Sequence, residues 1–147
     1  MPRKYNPEQK DSALEMLKKC EWTKKEYKKI EKSLYNKFRD NKSEIEFNDY
    51  KEFIECYVKK IKKQNGKCFY CGLEGDIKKT YGKYFTKGKR KKCGERLEID
   101  KKDPKVKYSA NNLVLACYPC NNAKSNVFTC DEFIIIGAVI GALKKKD

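Results

Sequence analysis

Residues 96–104 read RLEIDKKDP, and residues 108–125 read YSANNLVLACYPCNNAKS. Arg96 to Asp100 alternates apolar and polar side chains, the period of a strand with one buried face. Pro104 and the pair Asn111-Asn112 carry turn chemistry, which predicts a loop. Leu113 to Ala116 is a short apolar run with the length of a second strand, and a short helix is expected from Asn121 onward. Working outward, Cys117-Tyr-Pro-Cys120 falls at the junction between that strand and that helix. A second C-x-x-C, Cys68-Phe-Tyr-Cys71, lies upstream. Two such turns suit four thiolates meeting one tetrahedral Zn²⁺.

The rest of the 147-residue chain is strongly basic, with 36 Lys and Arg against 21 Asp and Glu, a net charge of +15 and no histidine. Such a balance points to a polyanionic partner, nucleic acid first and an anionic membrane surface second. The membrane reading is weakened because no signal peptide is evident and the longest apolar stretch, Phe133 to Leu143, is too short to span a bilayer. With 39% of residues charged, little apolar material remains for a core, and a metal staple offsets that shortage. Cysteines spaced for metal rather than for disulfides suit a reducing, cytoplasmic setting. Cys20, Cys56, Cys93 and Cys130 are isolated and read as packed free thiols.

Residues 1–66 read as a basic helical region that packs on the remainder. One helix is expected over Glu8 to Lys19, with Ala13, Leu14 and Leu17 on one face. A second opens on the capping box Thr23-x-x-Glu26 and runs to about Arg39. A third is capped by Asn48, carries Tyr50, Phe53, Ile54, Tyr57, Val58 and Ile61, and stops at Asn65-Gly66. From residue 67 to 147 the chain changes character. Gly72 to Lys92 reads as loop or hairpin, and Thr129-x-x-Glu132 opens a final apolar helix through Leu143.

Strand, loop, strand and helix with a cysteine knuckle at each end form a ββα-metal arrangement, and the sequence resembles the HNH endonuclease family. The resemblance is carried by CFYCG (68–72), LEID (97–100), NLVLAC (112–117) and CNNAKS (120–125), in the family's order. It implies an α+β fold: a small ββα-metal core with a four-cysteine structural zinc, a basic helical N-terminal region and a C-terminal helix. It further implies that Asp100 and Asn121 ligate a catalytic metal. Carboxylate and amide oxygens are hard donors, suited to Mg²⁺ or Mn²⁺. Asn112 matches the asparagine that ties down the loop between the strands.

Lys101 occupies the slot of the family's general-base histidine. Histidine suits that role because its pKa lies near working pH, whereas a lysine serves more naturally as a charge that stabilises the transition state. A restriction-endonuclease branch of the family also carries a cation here, and shares the pattern L-A-C-x-x-C-N-x-x-K-S-N-x-F seen at Leu115 to Phe128. In that branch a tyrosine on the helix before the first knuckle is the proposed nucleophile or water activator, which nominates Tyr57. The same position also reads as a core aromatic. The branch has a further N-terminal knuckle, whereas this N-terminal region has only Cys20.

Lys87, Lys89, Arg90, Lys91 and Lys92, with Arg96 and Lys124, are expected phosphate or base contacts on double-stranded DNA. Two-fold symmetric DNA sites call for two-fold symmetric proteins, so a homodimer is expected. Two rivals remain: a zinc-stabilised DNA-binding protein with no catalysis, and a structural or RNA-binding zinc protein.

Overall fold

A computed structural model describes residues 15–18, 24–76 and 96–144. The chain divides into two compact units, the first Met1–Lys59 with Lys107–Asn111, the second Lys60–Val106 with Asn112–Asp147.

In the first unit, residues 15–18 are helical; the rest of the expected first helix and the Thr23–Glu26 cap lie outside the residues whose side chains are described. Helix α1 spans Lys24–Asp40, a short 3-10 turn covers Lys42–Glu44, and helix α2 spans Tyr50–Gln64. Ile30, Leu34 and Phe38 at i, i+4 and i+8 are buried on α1, the spacing of one helical face. Phe38 packs against Tyr50 and Phe53 with ring centroids 5.6 Å apart in both pairs. The Tyr50 hydroxyl donates to the buried Glu31 carboxylate at 3.3 Å, and burial first, then that negative charge, pushes the phenol's pKa up. Residues 107–111 return to this unit: Tyr108 N–H donates to the Glu44 carbonyl at 2.7 Å, and Glu46 N–H to the Tyr108 carbonyl at 2.8 Å.

The cap of α2 is Asp49, one residue after the expected Asn48. Asp49 Oδ1 accepts from Glu52 N–H at 2.9 Å while Glu52 Oε2 accepts from Asn48 N–H at 2.7 Å. The Asp49 carboxylate thus caps a first-turn N–H, while Glu52 reaches back four residues to the Asn48 N–H. The helix stops as expected, with Asn65 at φ 54° and Gly66 at φ 68°, and Gly66 N–H donating back to the Ile61 carbonyl at 3.0 Å.

In the second unit, β1 (Glu98–Lys101) and β2 (Leu113–Ala116) form an antiparallel pair with Ile99 opposite Leu115 and Asp100 opposite Val114. The first strand begins two residues later than its alternation suggests and runs through Lys101, so Asp100 lies within the ladder. The pairing continues into the loop, where Lys102 N–H donates to the Asn112 carbonyl at 3.0 Å. All four residues of β2 are buried. Its outer edge is closed by the first knuckle, through Phe69 N–H to the Leu115 carbonyl at 3.0 Å. Gln64 does the same from the end of α2, donating to that carbonyl at 2.8 Å and accepting from Leu115 N–H at 3.1 Å. An unpaired strand edge is thereby covered.

Helix α3 spans Tyr118–Lys124, with Pro119 in its first turn. It starts three residues before Asn121, because proline is tolerated where helical N–H groups lack partners anyway. Helix α4 spans Cys130–Lys144 and opens on the expected Thr129–Glu132 box, with Glu132 N–H to Thr129 Oγ1 at 3.3 Å and Thr129 N–H to Glu132 Oε1 at 2.9 Å. The region 77–95, including most of the expected Gly72–Lys92 hairpin, lies outside the described residues. Among the described residues no helix is long and apolar enough to cross a membrane.

Candidate metal centre and active site

Cys68 and Cys71 sit on the turn after α2, Cys117 caps α3, and Cys120 lies within it. All four are buried, and their sulfurs lie within 4.8 Å of one another. The Cys71 and Cys117 sulfurs are 3.7 Å apart. A tetrahedron with metal–sulfur bonds of about 2.3 Å has edges of about 3.8 Å, so the four thiols fit one such ion. Hydrogen bonds from Cys117, then Cys120 and Cys71, pull the Cys68 thiol down, while Cys117, then Cys68 and Cys71, push Cys120 up. Cys56 is buried and Cys130 half-buried, neither in a disulfide; Cys20 and Cys93 lie outside the described residues.

Beside the thiols, Glu98 and Asp100 project from the same face of β1, as residues two apart on a strand must. Helix α3 packs on β1 and meets both. Asn121 Nδ2 donates to Glu98 Oε1 at 3.1 Å. One turn later, Lys124 Nζ lies 3.2 Å from Asp100 Oδ2 and donates to the Lys101 carbonyl at 2.7 Å. Because a carboxylate only accepts, Asn121 must turn its NH₂ to Glu98, which leaves its carbonyl oxygen as the amide's open donor to a cation. Glu98 and Asp100 on β1 and Asn121 on α3 thus carry oxygen donors of the kind a hard divalent ion takes.

Asp100 is 6% exposed and has a second partner that the sequence did not suggest. The Tyr70 hydroxyl, inside the first knuckle, donates to Asp100 Oδ2 at 2.6 Å. Burial lifts the Asp100 carboxyl above its usual range, against the opposing pull of Tyr70 and Lys124. Burial first, then the bond and charge of Asp100, raises the Tyr70 phenol. The Tyr70 ring stands edge-on to Phe133 of α4, centroids 5.1 Å apart at 88°. Nothing in C-F-Y-C marks that tyrosine, since its role appears only when knuckle, strand and α4 come together.

Neither a family of known proteins nor any curated protein matches the chain in sequence. In structure it is similar to the rare-cutting HNH restriction endonuclease PacI, with a TM-score of 0.55 at 24% identity over 76% of this chain and 74% of that one. The fold is HNH-like.

Within this HNH-like core Asn112 closes the loop between the strands. Its side chain accepts from Asp103 N–H at 2.9 Å and donates to the Asp103 and Val106 carbonyls at 3.1 and 2.9 Å. Lys101 ends β1, half-buried, and Arg96, also half-buried, precedes it. Lys124 is 0% exposed. An exposed phosphate contact, the role its sequence position suggested, needs an ammonium in solvent; here the ammonium is spent on Asp100 and the Lys101 carbonyl. Lys87, Lys89, Arg90, Lys91 and Lys92 lie outside the described residues. Tyr57 belongs to the first unit, on α2, and is 1% exposed.

Proposed function

We propose that the chain is a metal-dependent endonuclease that hydrolyses phosphodiester bonds in double-stranded DNA, as a sequence-specific, restriction-type enzyme acting as a homodimer. The observation that carries the reading is the pairing of α3 with β1, which sets Asp100, Glu98 and Asn121 beside a four-thiol cluster in an HNH-like fold. The structural neighbour is itself a restriction endonuclease. A net charge of +15 supports DNA as the partner.

In this reading the cysteines hold a structural Zn²⁺, and Asp100 and Asn121 hold Mg²⁺ or Mn²⁺. A divalent ion so placed supplies Lewis-acid polarisation of the phosphate. Tyr70 on Oδ2 and Lys124 on both oxygens orient the Asp100 carboxylate, and Glu98 fixes the face of Asn121. Bonds of this kind hold metal ligands in place. Lys101 contributes positive charge to a transition state rich in negative charge. The chain has no histidine, and for the proton chemistry the resemblance nominates Tyr57.

A second reading, a zinc-stabilised DNA-binding protein without catalysis, draws on the Lys124–Asp100 pair, which neutralises the carboxylate without any metal. The two part on one assay. Supercoiled plasmid is incubated with zinc-loaded protein, with and without Mg²⁺, and run beside a mobility shift. Mg²⁺-dependent linear product that Tyr57→Phe abolishes, with DNA binding kept, supports the nuclease and its tyrosine. A Tyr57→Phe protein that cuts at the wild-type rate removes Tyr57 from the mechanism. Retarded but intact DNA with wild-type protein supports the binder.

A further inference from the structure

The turn that leaves α3 holds a residue in a backbone conformation that its side chain disfavours. Ser125 lies at φ 48° and ψ −145°, left-handed backbone that glycine adopts freely and that a Cβ strains. Hydrogen bonds fix it there. Ser125 N–H donates to the Asn121 carbonyl at 3.0 Å, and Val127 N–H and Phe128 N–H both donate to the Lys124 carbonyl at 3.3 Å. Both ends of the turn are anchored: Lys124 is fully buried against Asp100, and the Phe128 ring packs on Phe133 with centroids 6.1 Å apart. Between those anchors Ser125, Asn126 and Val127 are exposed, Val127 at 73%. A glycine at position 125 would form the same turn without strain, so the local fold does not explain the serine.

The composition of this surface is as unusual as its backbone. Between Lys107 and Asp131 the only charged residue is Lys124, and it is buried. A chain with 39% charged residues thus presents an uncharged surface at the end of the helix that carries Asn121. Among the described residues, no hydrogen bond engages the side chains of Asn122, Ser125 or Asn126. Phosphates are gripped mainly by cations and carry no sequence, whereas base edges are read by amides, hydroxyls and apolar groups. We propose that the turn Ser125–Asn126–Val127 is a base-reading element that enters a groove of the duplex. The turn directly follows Lys124, whose partner Asp100 is the proposed metal ligand, so the base pairs it meets flank the scissile phosphate. The Asn126 amide offers two donors and an acceptor to a base edge, and the Ser125 hydroxyl a donor and an acceptor. Val127 covers an apolar part of the same edge. The strained backbone at Ser125 holds these side chains outward before DNA arrives, which leaves little ordering to be done on binding.

The inference names residues behind the sequence specificity of the proposed function and rests on that reading for DNA as the partner. Binding tests it, so cleavage can fail without it. The whole zinc-loaded chain, without Mg²⁺, selects duplexes from a pool with a randomised core, and the bound fraction is sequenced. Wild type is expected to enrich one motif. Asn126→Ala and Ser125→Ala are each expected to enrich that motif with one or two adjacent positions lost, preference there falling about 10-fold or more. Ser125→Gly is expected to lose the same position as Ser125→Ala, while its thermal midpoint rises by about 3 °C as the strain is relieved. A protein that selects the motif but cuts nothing refutes the nuclease and upholds the inference. A wild-type pool without a motif overturns the inference, and Mg²⁺-dependent cutting at random would still uphold the nuclease. A motif that either alanine variant selects unaltered overturns it. So does an equal loss of binding to every sequence, the mark of a phosphate contact. A Ser125→Gly midpoint that does not rise removes the strain the proposal starts from and overturns it too.

Discussion

Lys124 is the residue whose role changes most between sequence and structure. Surface lysines are the rule, so a lysine in C-N-x-x-K reads as a phosphate contact, yet the side chain is fully buried against Asp100. Removing one partner of a buried pair leaves the other charge uncompensated, at about 3–5 kcal/mol. Lys124→Met is expected to lower stability by about that much in urea titrations, and millimolar Mg²⁺ is expected to restore part of it by replacing the lost positive charge on Asp100. Tyr70→Phe keeps the ring on Phe133 but removes the 2.6 Å bond to Asp100. It is expected to weaken Mg²⁺ affinity by about 10- to 100-fold, read as a shifted Mg²⁺ midpoint in calorimetry and in cleavage, with DNA affinity unchanged. The cysteines stand out in the sequence because their chemistry is set by local spacing, and Asp100, Asn112 and Asn121 because they match positions of the motif the chain resembles. Tyr70 and Glu98 do not, and Lys124 stands out in a different role, because what each touches depends on the packing of α3 and α4.

At the scale of elements, most ends are visible in the sequence where a side chain closes a local hydrogen bond. Asn65-Gly66 stops α2 through left-handed backbone, and Thr129 with Glu132 starts α4. The misplaced starts have local causes too: the Asp49 carboxylate takes the Glu52 N–H, and Pro119 opens α3 early. The seating of α4 on the knuckle is not visible in the sequence, because what Gly137 and Gly141 press on is distant in the chain. A methyl at Gly141 would collide with the Cys71 carbonyl, and backbone there cannot yield easily because it carries a cluster thiol. Gly141→Ala is expected to cost about 1–3 kcal/mol, measured as a lower thermal midpoint and faster zinc loss to a colorimetric chelator. Thr129→Ala removes only the cap and is expected to cost about 1 kcal/mol, with zinc retention unchanged.

For the whole molecule, the four-thiol cluster adds to the apolar core that so charged a chain can build. One zinc per chain is expected by atomic absorption, and its removal by a strong chelator is expected to unfold the second unit, because metal binding and folding are a single equilibrium in such domains. The basic charge supplies affinity but no chemistry, so the account stands or falls on cleavage. The most direct measurement is to digest genomic DNA with zinc-loaded protein in Mg²⁺ and to sequence the ends, with Asp100→Ala as the control. Ends clustered at one recurring sequence, present for the wild type and absent for Asp100→Ala and without Mg²⁺, are the predicted result. DNA that is bound but uncut, or equal cutting by both proteins, contradicts it.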